Sequence, residues 1–123
     1  MSAKPDDTWA IELLGGLLPE LNRRTDEANK RIRTFELYLR ENGLAIPVMV
    51  SAGRGQLGFV TYAKADGEWR VRWRGKDRTD PHDGVPLLEC PRYVKLVAMT
   101  AWDTFVASVV EMAEKYAKGE VGR

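Results

Sequence analysis

The chain has 123 residues, of which 44% are hydrophobic and one is cysteine, and its 19 basic against 18 acidic residues give a formal charge of +1. That length suits one domain able to bury roughly two-thirds of its unfolded surface, so no metal or disulfide staple is required. The charge balance argues against global attraction to nucleic acid or anionic lipid and leaves only a local patch for either. A single cysteine, Cys90, permits no intramolecular disulfide and points to a reducing compartment. Met1 to Asp7 contains no apolar run and reads as no signal peptide. The most apolar stretch, Trp9 to Leu18, is interrupted by Glu12, Gly15 and Gly16 and falls short of the ~20 residues that span a bilayer. The cytoplasm is therefore the expected location.

In chain order, Asp6, Asp7 and Thr8 are N-cap residues for a first helical segment, and residues 1–18 are predicted to form an N-terminal arm or short helix. Trp9, Leu13 and Leu17 share one face of it, with Leu14 and Leu18 beside them, while Gly15 and Gly16 weaken it. Pro19 suits the first position of a second helix and Gly43 its end. Between them Leu21, Ala28, Ile32, Phe35 and Leu39 make an apolar stripe. The pairs Asp26 with Lys30, Glu27 with Arg31 and Glu36 with Arg40 sit at the favourable acid-before-base spacing on the opposite face.

Three strand-like runs follow. Ile46 to Ala52 is apolar, with Pro47 placing it at a sheet edge or making Ile46 a lead-in. Leu57 to Ala65 and Glu68 to Arg74 flank Asp66-Gly67, a two-residue turn that fixes a hairpin register. Ala65 then faces Glu68, Tyr62 faces Val71 and Val60 faces Trp73, giving one apolar face with Trp69; the other presents Phe59, Thr61 and Ala63 beside Arg70, Arg72 and Arg74. Gly75 to Val85 is a polar loop, and Pro86-Leu87-Leu88 forms either a fourth short strand or an ordered return. A final helix is predicted from Arg92 to Lys118, with Val94, Val97, Ala101, Phe105, Ser108, Met112 and Tyr116 on its core stripe and Leu96, Met99, Trp102, Val106 and Val110 off it. The fold class is α+β: a single domain over residues 1–123, helices packed on one face of a three- or four-stranded antiparallel meander, in the order α-α-β-β-β-α.

No residue set forms a catalytic or cofactor motif, and no catalytic residue, metal ligand or cofactor is assigned. Gly53-Arg54-Gly55-Gln56-Leu57-Gly58 matches a dinucleotide pattern, but a strand rather than a helix follows it, so a turn is the better explanation. Asp77, Asp80, His82 and Asp83 cluster in one loop without calcium-loop spacing, and read as turn residues. Cys90 and His82, the only histidine, lack a flanking nucleophile signature, and Cys90 is expected to pack as a small hydrophobe.

Two surfaces remain. The basic hairpin offers Lys64, Arg70, Arg72, Arg74 and Lys76, with the strand arginines spaced about 6.6 Å apart and Phe59 available to stack a base. The second is apolar helical surface: Trp9, Leu13 and Leu17 on the arm, and Trp102, Val106 and Val110 on the last helix. The arm and last helix either cover one another or form a protein–protein surface. The sequence favours a small non-enzymatic adaptor whose partner is another protein or a second copy, with no membrane or small-molecule cofactor. Single-stranded nucleic-acid binding by the arginine face is the second reading.

Overall fold

A computed structural model describes residues 6–120 of the chain. The outermost parts of the arm and domain spans, residues 1–5 and 121–123, lie outside the described residues. Three helices and a three-stranded antiparallel sheet make the α+β class expected: α1 (Thr8–Glu41), β1 (Val48–Ala52), β2 (Gly58–Ala65), β3 (Glu68–Gly75), a 3-10 turn at Leu87–Glu89, α2 (Arg92–Met99) and α3 (Trp102–Ala117). The strands follow chain order, β1-β2-β3. The return segment adds only an isolated bridge between Arg72 and Pro86.

The hairpin register follows from its turn. Asp66 at φ 51° and Gly67 at φ 80° make the two-residue turn whose twist matches the flanking strands. Ala65 consequently pairs with Glu68, Tyr62 with Val71 and Val60 with Trp73. Val60, Tyr62, Val71 and Trp73 are buried beneath the helices, in one core with Ile32 and Leu39 of α1 and Phe105 and Val109 of α3. Gly58 lies where this core meets the sheet end: a Cβ there would stand 2.2 Å from Trp73 Cζ2 and 2.7 Å from the Arg74 carbonyl. Neither neighbour is the free end of a flexible side chain, so Gly58→Ala is expected to destabilise the fold by at least about 2 kcal/mol in urea denaturation.

Two helix boundaries differ from the sequence reading. The arm and the helix predicted from Pro19 are one continuous helix of 34 residues, with Pro19 inside it. Proline removes one amide from the backbone ladder, but Gly15 to Glu20 is exposed throughout, so the released carbonyl is open to water. The helix predicted from Arg92 to Lys118 is broken at Thr100–Ala101, where α2 and α3 bend by 62°. Thr100 Oγ1 donates to the Val97 carbonyl at 2.6 Å and accepts from the Gly53 amide at 3.2 Å, while the Thr100 and Ala101 amides tighten to carbonyls three residues back. A side chain that competes for local backbone groups bends a helix in this way.

The surface ion pairs expected along α1 are also rearranged, in part by tertiary contacts. Arg31 pairs with Asp103 at 2.7 Å, Arg40 with Glu68 at 3.3 Å, and Glu27 with Arg23 at 2.8 Å. Glu36 leaves the surface altogether. It is 4% exposed, and its Oε2 accepts from Arg70 Nε at 3.0 Å and from the Val71 amide at 2.7 Å. β3 is an outer strand, and two more of its outward amides are met: Trp73 donates to the Val85 carbonyl at 3.0 Å and Gly75 to Asp83 Oδ1 at 2.9 Å. From Val71 to Gly75 the edge is therefore covered and is a poor template for pairing with another strand.

Candidate functional site: the projecting half of the first helix

The face of α1 that enters the core carries Ala28, Ile32, Glu36 and Leu39, all buried. Towards the N-terminus the same face continues through Leu21, Leu17, Leu14 and Ala10, but burial fades: Leu21 and Ala10 are only partly buried, and Leu17 and Leu14 are exposed. Residues 11–20 are exposed without exception. Trp9, at 69% exposure, Ile11, Leu13, Leu14, Leu17 and Leu18 are six large apolar side chains that this fold leaves in water. At 1.5 Å per residue the exposed segment from Thr8 to Glu20 projects roughly 20 Å beyond the body. The arm residues expected to bind a partner, Trp9, Leu13 and Leu17, are thus placed together and outward, and Ile11, Leu14 and Leu18 belong with them. The sequence signal for all six is a window with Glu12 as its only charge from Thr8 to Leu18.

The last helix does not share this surface. Trp102 is 2% exposed, with its ring centroid 5.9 Å from Phe35 and 5.2 Å from Phe105, so it is a core residue and its assignment to a contact surface is corrected. The 62° bend is the cause, because it turns a position off the straight-helix stripe into the interior. Val106 is partly buried against the core, and Val110 alone of the three is half exposed. The aromatic and ionic contacts between α1 and α3 involve Arg31 and Phe35, in the body half of α1, so α3 does not cover the arm.

The arginine face is dismantled by its own hydrogen bonds. Arg72 is 8% exposed and donates to four carbonyls, of Ala63 at 3.4 Å, Ala65 at 3.2 Å, Glu68 at 3.1 Å and Gly84 at 3.1 Å. Arg70 is held by Glu36, and its Nη1 lies 3.7 Å from Glu89; the hydrogen bond it donates to Glu36 is the main cause that raises the Arg70 pKa, opposed by its own burial. The expectation of three arginines projecting side by side into solvent is corrected for both, since an arginine whose donors are already engaged is not free to grip phosphate. Phe59 is half-buried opposite Arg74 in the sheet register, and Lys64 is exposed near the turn. Arg74 and Lys76 remain exposed and, with Arg78, border an open cavity of about 350 Å³ that also includes Asp77 and Asp83.

The loop acids and the thiol serve the structure. Asp80 accepts from Trp73 Nε1 at 2.9 Å and from the His82 amide at 2.8 Å, and Asp77 is engaged by Thr79, whose side-chain hydrogen bond lowers its pKa. His82 Nε2 meets the Tyr93 hydroxyl at 2.9 Å. Cys90 Sγ lies 3.5 Å from the Pro86 carbonyl, and burial pushes its pKa up to about 11, so the thiol stays protonated and unreactive at neutral pH. Among the described residues no group of three or more His, Cys, Asp or Glu side chains is placed to hold a metal ion. No single helix among them is long and apolar enough to cross a membrane.

A surface cavity of about 470 Å³ lies on the body between Phe35, Tyr38 and Trp102, with Lys30, Arg31 and Thr34 around it. Compared with protein-family models, curated proteins and solved structures, the chain matches none.

Proposed function

We propose that this chain is a non-enzymatic protein-interaction domain that docks a partner protein through the projecting half of α1. One observation carries the reading: six large apolar side chains, from Trp9 to Leu18, are exposed on a single helical segment. Scattered exposed leucines are ordinary, but a contiguous apolar patch marks a contact surface. The body supplies a rigid mount for that segment, because α1 is fastened to it by Ile32, Leu39 and the buried Glu36–Arg70 pair. The adaptor reading therefore narrows to the arm, with Val110 the only last-helix residue of the original set that is well exposed.

The test is partner capture by the purified chain carrying Leu14→Asp and Leu17→Asp. Both positions are exposed and clear of the core, so thermal stability should change by less than about 0.5 kcal/mol. Partner retention is expected to fall at least about tenfold, because each aspartate would have to be desolvated in an apolar contact. Full retention by the double variant would defeat the reading.

Nucleic-acid binding stays as the second reading on a smaller footing, since Arg74, Lys76 and Arg78 border one cavity. Fluorescence anisotropy of labelled single-stranded DNA and RNA, repeated with Arg74→Ala and Lys76→Ala, separates it from the first. Binding that falls steeply with salt and is lost in those variants would favour it.

A further inference from the structure

Resting on the docking role of the arm, we infer that its partner is a second copy of this chain, bound antiparallel so that each arm covers the other. The spacing along the exposed stripe carries the argument. Asp7, Ala10, Leu14, Leu17, Leu21 and Arg24 recur at intervals of three, four, three, four and three residues. That is the alternation by which two helices interdigitate along a seam, and here it reads the same in both directions. Two copies opposed about the midpoint between Gly15 and Gly16 bring Ala10 against Leu21 and Leu14 against Leu17, each twice by symmetry. Ile11 and Leu18 border this seam on one side and Leu13 on the other.

Charge agrees with the same register. The next layer outward sets Asp7 of each copy against Arg24 of the other, so an opposite-charge pair closes the apolar seam at both ends. Both side chains are exposed, and the nearest acid to Arg24 among the described residues, Glu20, is 3.9 Å away. Opposed arms also set their helix dipoles side by side and antiparallel, the favourable arrangement.

Length agrees too. The body begins to cover this face of α1 at Leu21, which is partly buried, and in the opposed register Leu21 stands against Ala10, in the first turn of the partner's α1. The unbroken exposed run, residues 11–20, is therefore opposed by the same run of the partner. The five exposed side chains on or beside the seam, Ile11, Leu13, Leu14, Leu17 and Leu18, offer roughly 500 Å² per copy, below the ~800 Å² that each partner contributes to an ordinary interface but within the range of weaker ones. A membrane surface fits less well: no Lys or Arg lies between Thr8 and Asn22 to meet anionic headgroups.

Sedimentation velocity of the full chain at roughly 50 μM tests the inference, a concentration at which an interface of this size should be populated. The expected mass is twice the chain's 13.9 kDa. Leu14→Asp should weaken the dimer at least about 100-fold. Asp7→Arg alone and Arg24→Asp alone should each weaken it about tenfold by opposing like charges at both ends, and the combined swap should restore it. Circular dichroism of each variant confirms that the body is folded. A monomer at that concentration, a dimer indifferent to Leu14→Asp, a combined swap that fails to restore association, or arm-dependent binding to anionic vesicles by a monomeric chain would each overturn self-pairing. The broader reading fails separately. A monomeric chain whose arm still captures a different protein loses only the second copy, whereas a chain whose arm contacts nothing loses both.

Discussion

Glu36→Ala is expected to destabilise the fold by about 3 kcal/mol, although the residue lies on a helix whose neighbours are mostly solvated charges. The Glu36 carboxylate is the partner of Arg70, whose side chain is only 17% exposed, and also the acceptor for the outward Val71 amide of the sheet edge. Removing it strands a largely desolvated guanidinium and an edge amide together, and breaking one side of a buried pair typically costs about 3–5 kcal/mol. The lower figure is expected because Glu89 lies 3.7 Å from Arg70 and retains part of the interaction. Glu36→Gln keeps an acceptor for Val71 while losing the charge, so it should fall between alanine and the parent chain. Urea denaturation of the three proteins measures the order. An alanine variant as stable as the parent would show that Glu36 does not anchor α1 to β3.

Trp102→Ala is expected to cost more, about 3–5 kcal/mol, the usual range for truncating a buried aromatic. Its ring packs in the corner between α1 and α3 against Phe35 and Phe105. For a chain of this size the loss should lower Tm by more than about 10 °C. The same variant, held at a temperature where it is folded, is expected to keep the arm's partner. Loss of docking in a folded Trp102→Ala protein would return the last helix to the contact surface.

These two expectations mark where the sequence was legible and where it was not. Periodicity of two with an Asp-Gly turn was enough to place the hairpin and its pairing, because register in a two-residue loop leaves no freedom. The apolar stripe of the body half of α1 was equally plain, since each of its members answers to one face of one straight helix. Trp102 escaped because the stripe rule assumes a straight axis, and the bend comes from a threonine whose side chain engages Val97 and Gly53. Glu36 escaped because Arg40, four residues on, is a sufficient local partner on paper, and only the approach of β3 brings Arg70. Arg72 is the same lesson reversed: alternation put it on an open face, but the return of residues 84–86 along β3 closes that face over it.

The arm was visible as composition before it was visible as geometry. Its apolar content with one charge did not say whether α3 would cover it, because two amphipathic segments can satisfy one another or a third party. The bend decides the matter by committing α3 to the sheet and to Phe35. Pro19 misled for a different reason: a proline within the helix costs one hydrogen bond, and its surroundings here are open enough for water to replace it.

Site-specific photo-crosslinking from position 11 in living cells tests the docking claim most directly, since Ile11 is 67% exposed on the arm and clear of the body. A crosslinked product that forms in the parent background and disappears with Leu14→Asp is the expected result, while a probe at exposed Leu37, on the body half of α1, should give none. No product at position 11, or one that survives Leu14→Asp unchanged, would contradict a docking role for the arm.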